Sequence, residues 1–214
     1  ALAAAAYWAL LASDEFAFWI PSLVFGVLHA AGMLHKWSFF SYMFPAYLVA
    51  LRAFRDKRTA LIMLVSAAVS AALIIPWYAA HIALLPSRLV QASADFAISA
   101  WTPGAWLTYF NQASNSIGPV VWLLGTIGLM APQYRRNREQ GWVLLAWFVT
   151  SYIFWTVVPN RQLRFVLPGL VPIGVAFCST WPKAVTWGAV VLQLFGMVNF
   201  FGGWVGPVRL NLPF

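Results

Sequence analysis

The sequence predicts an all-α fold, a polytopic transmembrane helical bundle with an interfacial helix or loop on its outer face. Three observations predict it. The 214 residues are 62% hydrophobic and only 8% charged, against roughly a quarter charged in soluble domains. The apolar residues gather into runs separated by charged joints. A spanning helix takes about 20 apolar residues, so a chain of this length with its connections holds about seven spans. Such sparse polar surface excludes a soluble enzyme and a cytosolic nucleic-acid binder, and the excess apolar surface excludes a disordered chain. Residues 1–214 read as a single transmembrane domain, a fragment, with 81–119 an extracytoplasmic loop within it.

The runs come in order. Leu2–Ala12 is too short to span alone and ends at Ser13-Asp14-Glu15, so it reads as the tail of a helix begun upstream. No Met opens the chain and no Lys or Arg precedes Lys36. That is no signal peptide, and the segment reads as the later part of a longer protein. The second run is Phe18–Leu34, closed by His35-Lys36-Trp37. The third is Ser38–Leu51, broken by Pro45 and stopped by Arg52, Arg55, Asp56, Lys57 and Arg58. The fourth, Ala60–Tyr78, closes on Pro76-Trp77-Tyr78. After the mixed stretch 81–119 come Val120–Ala131, Trp142–Val158, Phe165–Trp181 and Ala184–Phe201. Within the mixed stretch, Pro86-Ser87 suits a helix start. Leu89, Val90, Phe96 and Ile98 could give that helix an apolar side, and Trp101, Trp106, Tyr109 and Phe110 suit the headgroup level.

The net charge of +8 is first a statement about topology. With the Arg52–Arg58 joint placed in the cytoplasm, Arg135, Arg136, Arg138 and Lys183 fall on the same side, eight cations in all. Lys36, Arg88, Arg161, Arg164 and Arg209 fall outside, with Asp95 the sole outer acid. Dense basic clusters on one face are what the positive-inside rule expects.

Catalytic motifs are scarce. His29, His35 and His81 lack the spacing of a ligand set, so the expected metal content is none, and each reads as structural or interfacial. The sequence has no nucleophile elbow, Walker loop or dinucleotide fingerprint. Gly125-Thr126-Ile127-Gly128 and Gly202-Gly203 suit close helix packing. The lone Cys178 cannot form an intrachain disulfide. What remains is an outer surplus of cations. A charge near a bilayer is costly unless paired or hydrated and carries a functional hypothesis by default. An external lipid phosphate would satisfy Lys36, Arg161 and Arg164, since Lys supplies a point charge and Arg a two-pronged grip. The plainer alternative is that these side chains simply reach toward the headgroups.

The segment Gly26-Val27-Leu28-His29-Ala30-Ala31-Gly32-Met33-Leu34-His35-Lys36-Trp37 resembles the glycine-containing helix, ending in Thr-Lys-Trp or Thr-Lys-Gly, of polytopic glycosyltransferases. These are the glycosyltransferase family 39 or dolichyl-phosphate-mannose-protein mannosyltransferase-like enzymes. Three later features follow in the same order. A basic joint precedes Pro76-Trp77-Tyr78, and Leu107-Thr108-Tyr109-Phe110 precedes Ile117-Gly118-Pro119. Asn160-Arg161-Gln162-Leu163-Arg164-Phe165-Val166-Leu167-Pro168-Gly169-Leu170-Val171-Pro172 resembles the family's Arg-Tyr-(Leu)-Leu-Pro-x-Leu-Pro segment. His35 replaces the family's Thr and Phe165 its Tyr.

The resemblance implies a fold of the glycosyltransferase C type in a bacterial inner (plasma) membrane. Such an enzyme moves a sugar from a polyprenyl-phosphate donor to an acceptor hydroxyl on the outer face. It implies Lys36 and Arg164 on the donor phosphate, with Arg161 beside them and Tyr109 along the sugar or acceptor path. No cofactor is implied beyond the lipid-linked donor, and the partners are membrane lipids and other membrane subunits, not nucleic acid. The family's general base lies in a first outer loop that nothing in this chain resembles, so the catalytic residue is expected upstream of Ala1. Two alternatives stand beside this reading. One is a non-catalytic transferase-like subunit that binds lipid phosphate through the same cations. The other is a transporter, which would show broken helices in paired repeats.

Overall fold

The structure is a computed structural model that describes residues 1–84, 86–87, 101–131, 138–158 and 163–202. Among these every regular element is helical. Contacts group the chain into two compact units, Ala1–Phe96 and Ala97–Phe214.

The first unit opens with α1 (Leu2–Ala12) and α2 (Trp19–His35), the two runs the sequence marks out. Asp14, Glu15 and Phe16 between them all have positive φ. This left-handed run is costly for residues with a Cβ. It is held by Ser13, whose hydroxyl donates to the Leu10 carbonyl at 2.6 Å and accepts from the Phe16 amide at 3.1 Å. The turn also buries the Phe16 ring, edge-on to Phe25 at 5.8 Å.

After α2 the chain enters a 3-10 helix, Trp37–Met43, and then α3 (Phe44–Ala53). The run Ser38–Leu51 divides at Pro45, as the sequence predicts, into the 3-10 segment and α3. Pro45 sits in the first turn of α3, where its fixed φ suits the helix and its missing N–H costs nothing. At ten residues, α3 rises only about 15 Å, half the hydrocarbon thickness.

Helix α4 (Lys57–His81) is different. Asp56 caps it, one carboxylate oxygen accepting from the Arg58 and Thr59 amides, each at 3.0 Å. Continued by a 3-10 turn to Leu84, it is the one described helix long and apolar enough to cross a membrane. Only 22% of its most apolar stretch is buried, unlike the core helix of a water-soluble globule. Leu61, Leu64, Leu73, Ile75 and Trp77 stand on its surface. The apolar stretches of the other described helices run to 10–17 residues.

In this unit α2 packs chiefly on α1 and α4. The crossing with α4 is close: a Cβ on Gly26 would lie 2.5 Å from the Ser66 carbonyl oxygen. Ser66 in turn donates to the Ser22 carbonyl at 2.6 Å. The Tyr7 hydroxyl ties α1 to the 3-10 segment through the Tyr42 carbonyl at 2.7 Å. Tyr78 ties the end of α4 to Met33 of α2 at 2.8 Å.

The second unit begins its described part at Trp101, which is 90% exposed. Thr102 caps α5 (Pro103–Ile117), and Gly118, at φ +85°, turns the chain into α6 (Pro119–Met130). The helix expected from Pro86 falls mostly on 88–100, outside the described residues, whereas Trp106, Tyr109 and Phe110 lie in α5. Next come α7 (Arg138–Val157), the short α8 (Leu163–Val166), a 3-10 turn Leu167–Leu170 and α9 (Val171–Thr180). The run Phe165–Trp181 is therefore divided, with Pro168 and Pro172 each beginning a new segment, as a residue without N–H can. Last is α10 (Lys183–Gly202).

The main packing in this unit joins α6 to α9. As the Gly125–Gly128 spacing predicts, small residues permit it. A Cβ on Gly125 would meet the Ile173 carbonyl oxygen at 2.7 Å, and one on Gly128 the Ala176 carbonyl at 3.1 Å. Trp181 closes the pair, its indole N–H donating to the Leu124 carbonyl at 2.9 Å. Of the Gly202-Gly203 pair, Gly203 lies outside the described residues. Cys178 is free and exposed.

Candidate functional site

The residues expected to hold a lipid phosphate fall in different units. Lys36 ends α2 in the first unit. Its backbone is extended at φ −155°, ψ 121°, its amide closes the last helical turn on the Gly32 carbonyl at 3.0 Å, and its side chain is half-buried. A cation at a helix C-terminus is favoured by the helix dipole, and the extended residue directs the following segment away from the α2 axis. Trp37, exposed and tilted against Phe40 at 6.0 Å, adjoins it.

Arg164 lies in α8 of the second unit and is exposed. Its guanidinium carbon stands 5.1 Å from the centre of the Phe165 ring. Phe165 in turn stacks on Trp155 of α7, 4.8 Å away and nearly parallel. The cation therefore rests against a buried aromatic pair, and none of the described residues gives it a carboxylate partner. Arg161, Asp95, Arg88 and Arg209 lie outside the described residues. Tyr109 is fully buried in α5, its ring edge-on to Tyr152 at 6.3 Å. Helix α5 packs against both α7 and α8, so Tyr109 and Arg164 sit on neighbouring elements.

The structure also assembles a polar group that sequence reasoning set aside. His29 on α2 has Nδ1 2.8 Å from the Ser70 hydroxyl of α4 and Nε2 3.0 Å from the Tyr47 hydroxyl of α3. The ring also lies edge-on to Phe39 and Tyr47, with centres 6.1 and 5.8 Å away. This hydroxyl–imidazole–hydroxyl chain borders a cavity of about 340 Å³ between α2, α3 and α4. The remaining wall is almost wholly apolar, including Phe25, Ala46, Met63, Ala71 and Ile74. The one available signal was a histidine inside an apolar run. Its partners are 41 and 18 residues away, beyond the reach of local spacing. Among the described residues no three His, Cys, Asp or Glu side chains cluster as a metal site would require.

No protein-family model, curated protein or solved structure matches the chain.

Proposed function

We propose that the chain is part of a multi-pass membrane protein of the bacterial inner membrane. It would bind the phosphate of a polyprenyl-linked sugar on the outer face and serve the transfer of that sugar to an acceptor hydroxyl. The observation that carries the reading is the setting of its cations. Lys36 terminates a 17-residue apolar helix, and Arg164 is held exposed against the Phe165–Trp155 stack. The ordered motifs around them add support, as does the exposed apolar surface of α4.

In this reading the apolar helices shorter than α4 cross the bilayer in company with their neighbours, giving the seven spans the sequence suggests. Lys36 in the first unit, and Arg164 with Arg161 in the second, are each candidates to neutralise the charge that builds on the phosphate as the sugar leaves. Tyr109 would support the acceptor path from within α5. The acceptor must lose a proton, and this reading takes the base for it from outside residues 1–214.

The test is sugar transfer from a polyprenyl-phosphate donor by the full-length gene product. Lys36→Ala and Arg164→Ala should each lower the rate roughly a hundredfold, the scale of losing one charge-stabilising group. Unchanged transfer in both variants removes the phosphate assignment. Retained donor binding without transfer in the unaltered protein would instead favour the non-catalytic, lipid-binding subunit.

A further inference from the structure

We propose that the cavity between α2, α3 and α4 binds a neutral, membrane-soluble ligand with a hydrocarbon body and one hydrogen-bond-accepting oxygen. The Ser70–His29–Tyr47 chain receives that oxygen. With a neutral imidazole the three side chains carry three polar hydrogens, and their two mutual hydrogen bonds use two. If Nδ1 is protonated it donates to Ser70 and accepts from Tyr47 at Nε2, leaving the Ser70 hydrogen over. If Nε2 is protonated it donates to Tyr47 and accepts from Ser70, leaving the Tyr47 hydrogen over. A doubly protonated ring leaves two. Every case ends with at least one spare donor beside an apolar space, and a buried donor without an acceptor is costly.

No carboxylate or side-chain amide oxygen in the wall is there to accept that hydrogen. Ser66 already donates to the Ser22 carbonyl, and no carboxylate, lysine or arginine lines the cavity. An acceptor brought by a ligand would use it, and the lack of lining charge selects a neutral molecule. The volume, about 340 Å³, is at the lower end of ligand pockets, which run from about 300 to 1,000 Å³. It suits one ring or a short chain segment rather than a whole lipid. Ala67 and Ile75 line the cavity and are also exposed on α4, the helix long enough to span. Entry is thus from the hydrocarbon side. An ester carbonyl of a lipid and a ring carbonyl of a quinone share the required chemistry. Lys36 and Arg164 are not in the wall, so this inference does not depend on the phosphate reading.

The experiment uses the full-length protein in detergent micelles and three photoactivatable diazirine probes of equal chain length. One is a methyl ester, one carries a benzoquinone, and one is a plain alkane. Labelling of α2, α3 and α4 peptides is read by mass spectrometry. At least one carbonyl probe should label them roughly threefold to tenfold more than the alkane, the worth of one hydrogen bond. The stronger of the two identifies the source. Ser70→Ala and Tyr47→Phe combined with His29→Leu, which together remove all three polar hydrogens, should bring the carbonyl probes down to the alkane level, with alkane labelling retained as the sign of an intact cavity. Ala71→Trp should abolish labelling by all three, and Lys36→Ala should change none. Equal labelling by carbonyl and alkane probes in the unaltered protein, a comparison that needs no variant, overturns the proposal. So does labelling that survives Ala71→Trp in a folded protein.

Discussion

Gly26 of α2 and Ser66 of α4 meet backbone to backbone: a methyl group on residue 26 would lie 2.5 Å from the Ser66 carbonyl oxygen and 2.8 Å from its hydroxyl. No side-chain rotation relieves a clash with a carbonyl, so the helices themselves would have to part. Gly26→Ala should therefore destabilise the first unit by about 1–3 kcal/mol, the usual cost of overpacking. Thermal unfolding in detergent measures it, and an unchanged midpoint would contradict so close a crossing.

The second unit provides a paired comparison. Gly125→Ala drives a methyl against the Ile173 carbonyl oxygen at 2.7 Å, whereas Gly188 has open space around its α-carbon. The first change should destabilise by about 1–3 kcal/mol. The second should be neutral or stabilising by up to about 1 kcal/mol, since alanine favours the helix over glycine. Equal effects on the unfolding midpoint would refute the assigned α6–α9 contact.

Asp56 holds the start of the longest apolar helix through two amide hydrogen bonds. Asp56→Ala should cost about 1 kcal/mol, and Asp56→Asn or Asp56→Ser should recover most of it. Hydrogen exchange localises the effect: faster exchange is expected at the Arg58 and Thr59 amides, with the middle of α4 unaffected.

Tyr109 is fully buried against Tyr152. Tyr109→Ala should destabilise the second unit by about 3–5 kcal/mol, as large-to-small aromatic changes do, while Tyr109→Phe keeps the ring packing. If Tyr109 also supports the acceptor path, Tyr109→Phe should lower transfer at unchanged stability. Measured side by side, unfolding and transfer separate the two roles.

For the phosphate reading, charge should matter more than shape at Lys36. Lys36→Arg keeps a cation at the end of α2 and should retain measurable binding of a polyprenyl phosphate, whereas Lys36→Gln should lose it. The affinity of the unaltered protein should fall as salt rises, because an exposed charge pair is screened. Salt-independent binding, identical in Lys36→Gln, would rule the site out.

Much of the helical plan was legible in the residues. Apolar runs bounded by charges mark α1, α2, α4 and α6 within a few residues, because a helix with little polar surface must end where charges begin. Gly125 and Gly128 announce a close contact, since three-residue spacing sets both on one helix face. Less legible were the joints. Pro45 reads as a break and does open α3, whereas the run Phe165–Trp181 reads as one helix although Pro168 and Pro172 divide it, because a proline ends one hydrogen-bond ladder and suits the first turn of the next. That choice depends on what the preceding residues pack against.

The sequence by itself determined the helical class, the apolar surfaces and the surplus of cations, because composition and period are properties of single segments. It also carried the phosphate-binding candidates Lys36 and Arg164, which sit at the ends of such segments. Only the tertiary structure decided that His29 meets Ser70 and Tyr47 beside a cavity. A hydrogen bond between helices is fixed by how their faces cross. The glycine at position 26, which lets α2 approach α4, shows that closeness only once the two helices are packed.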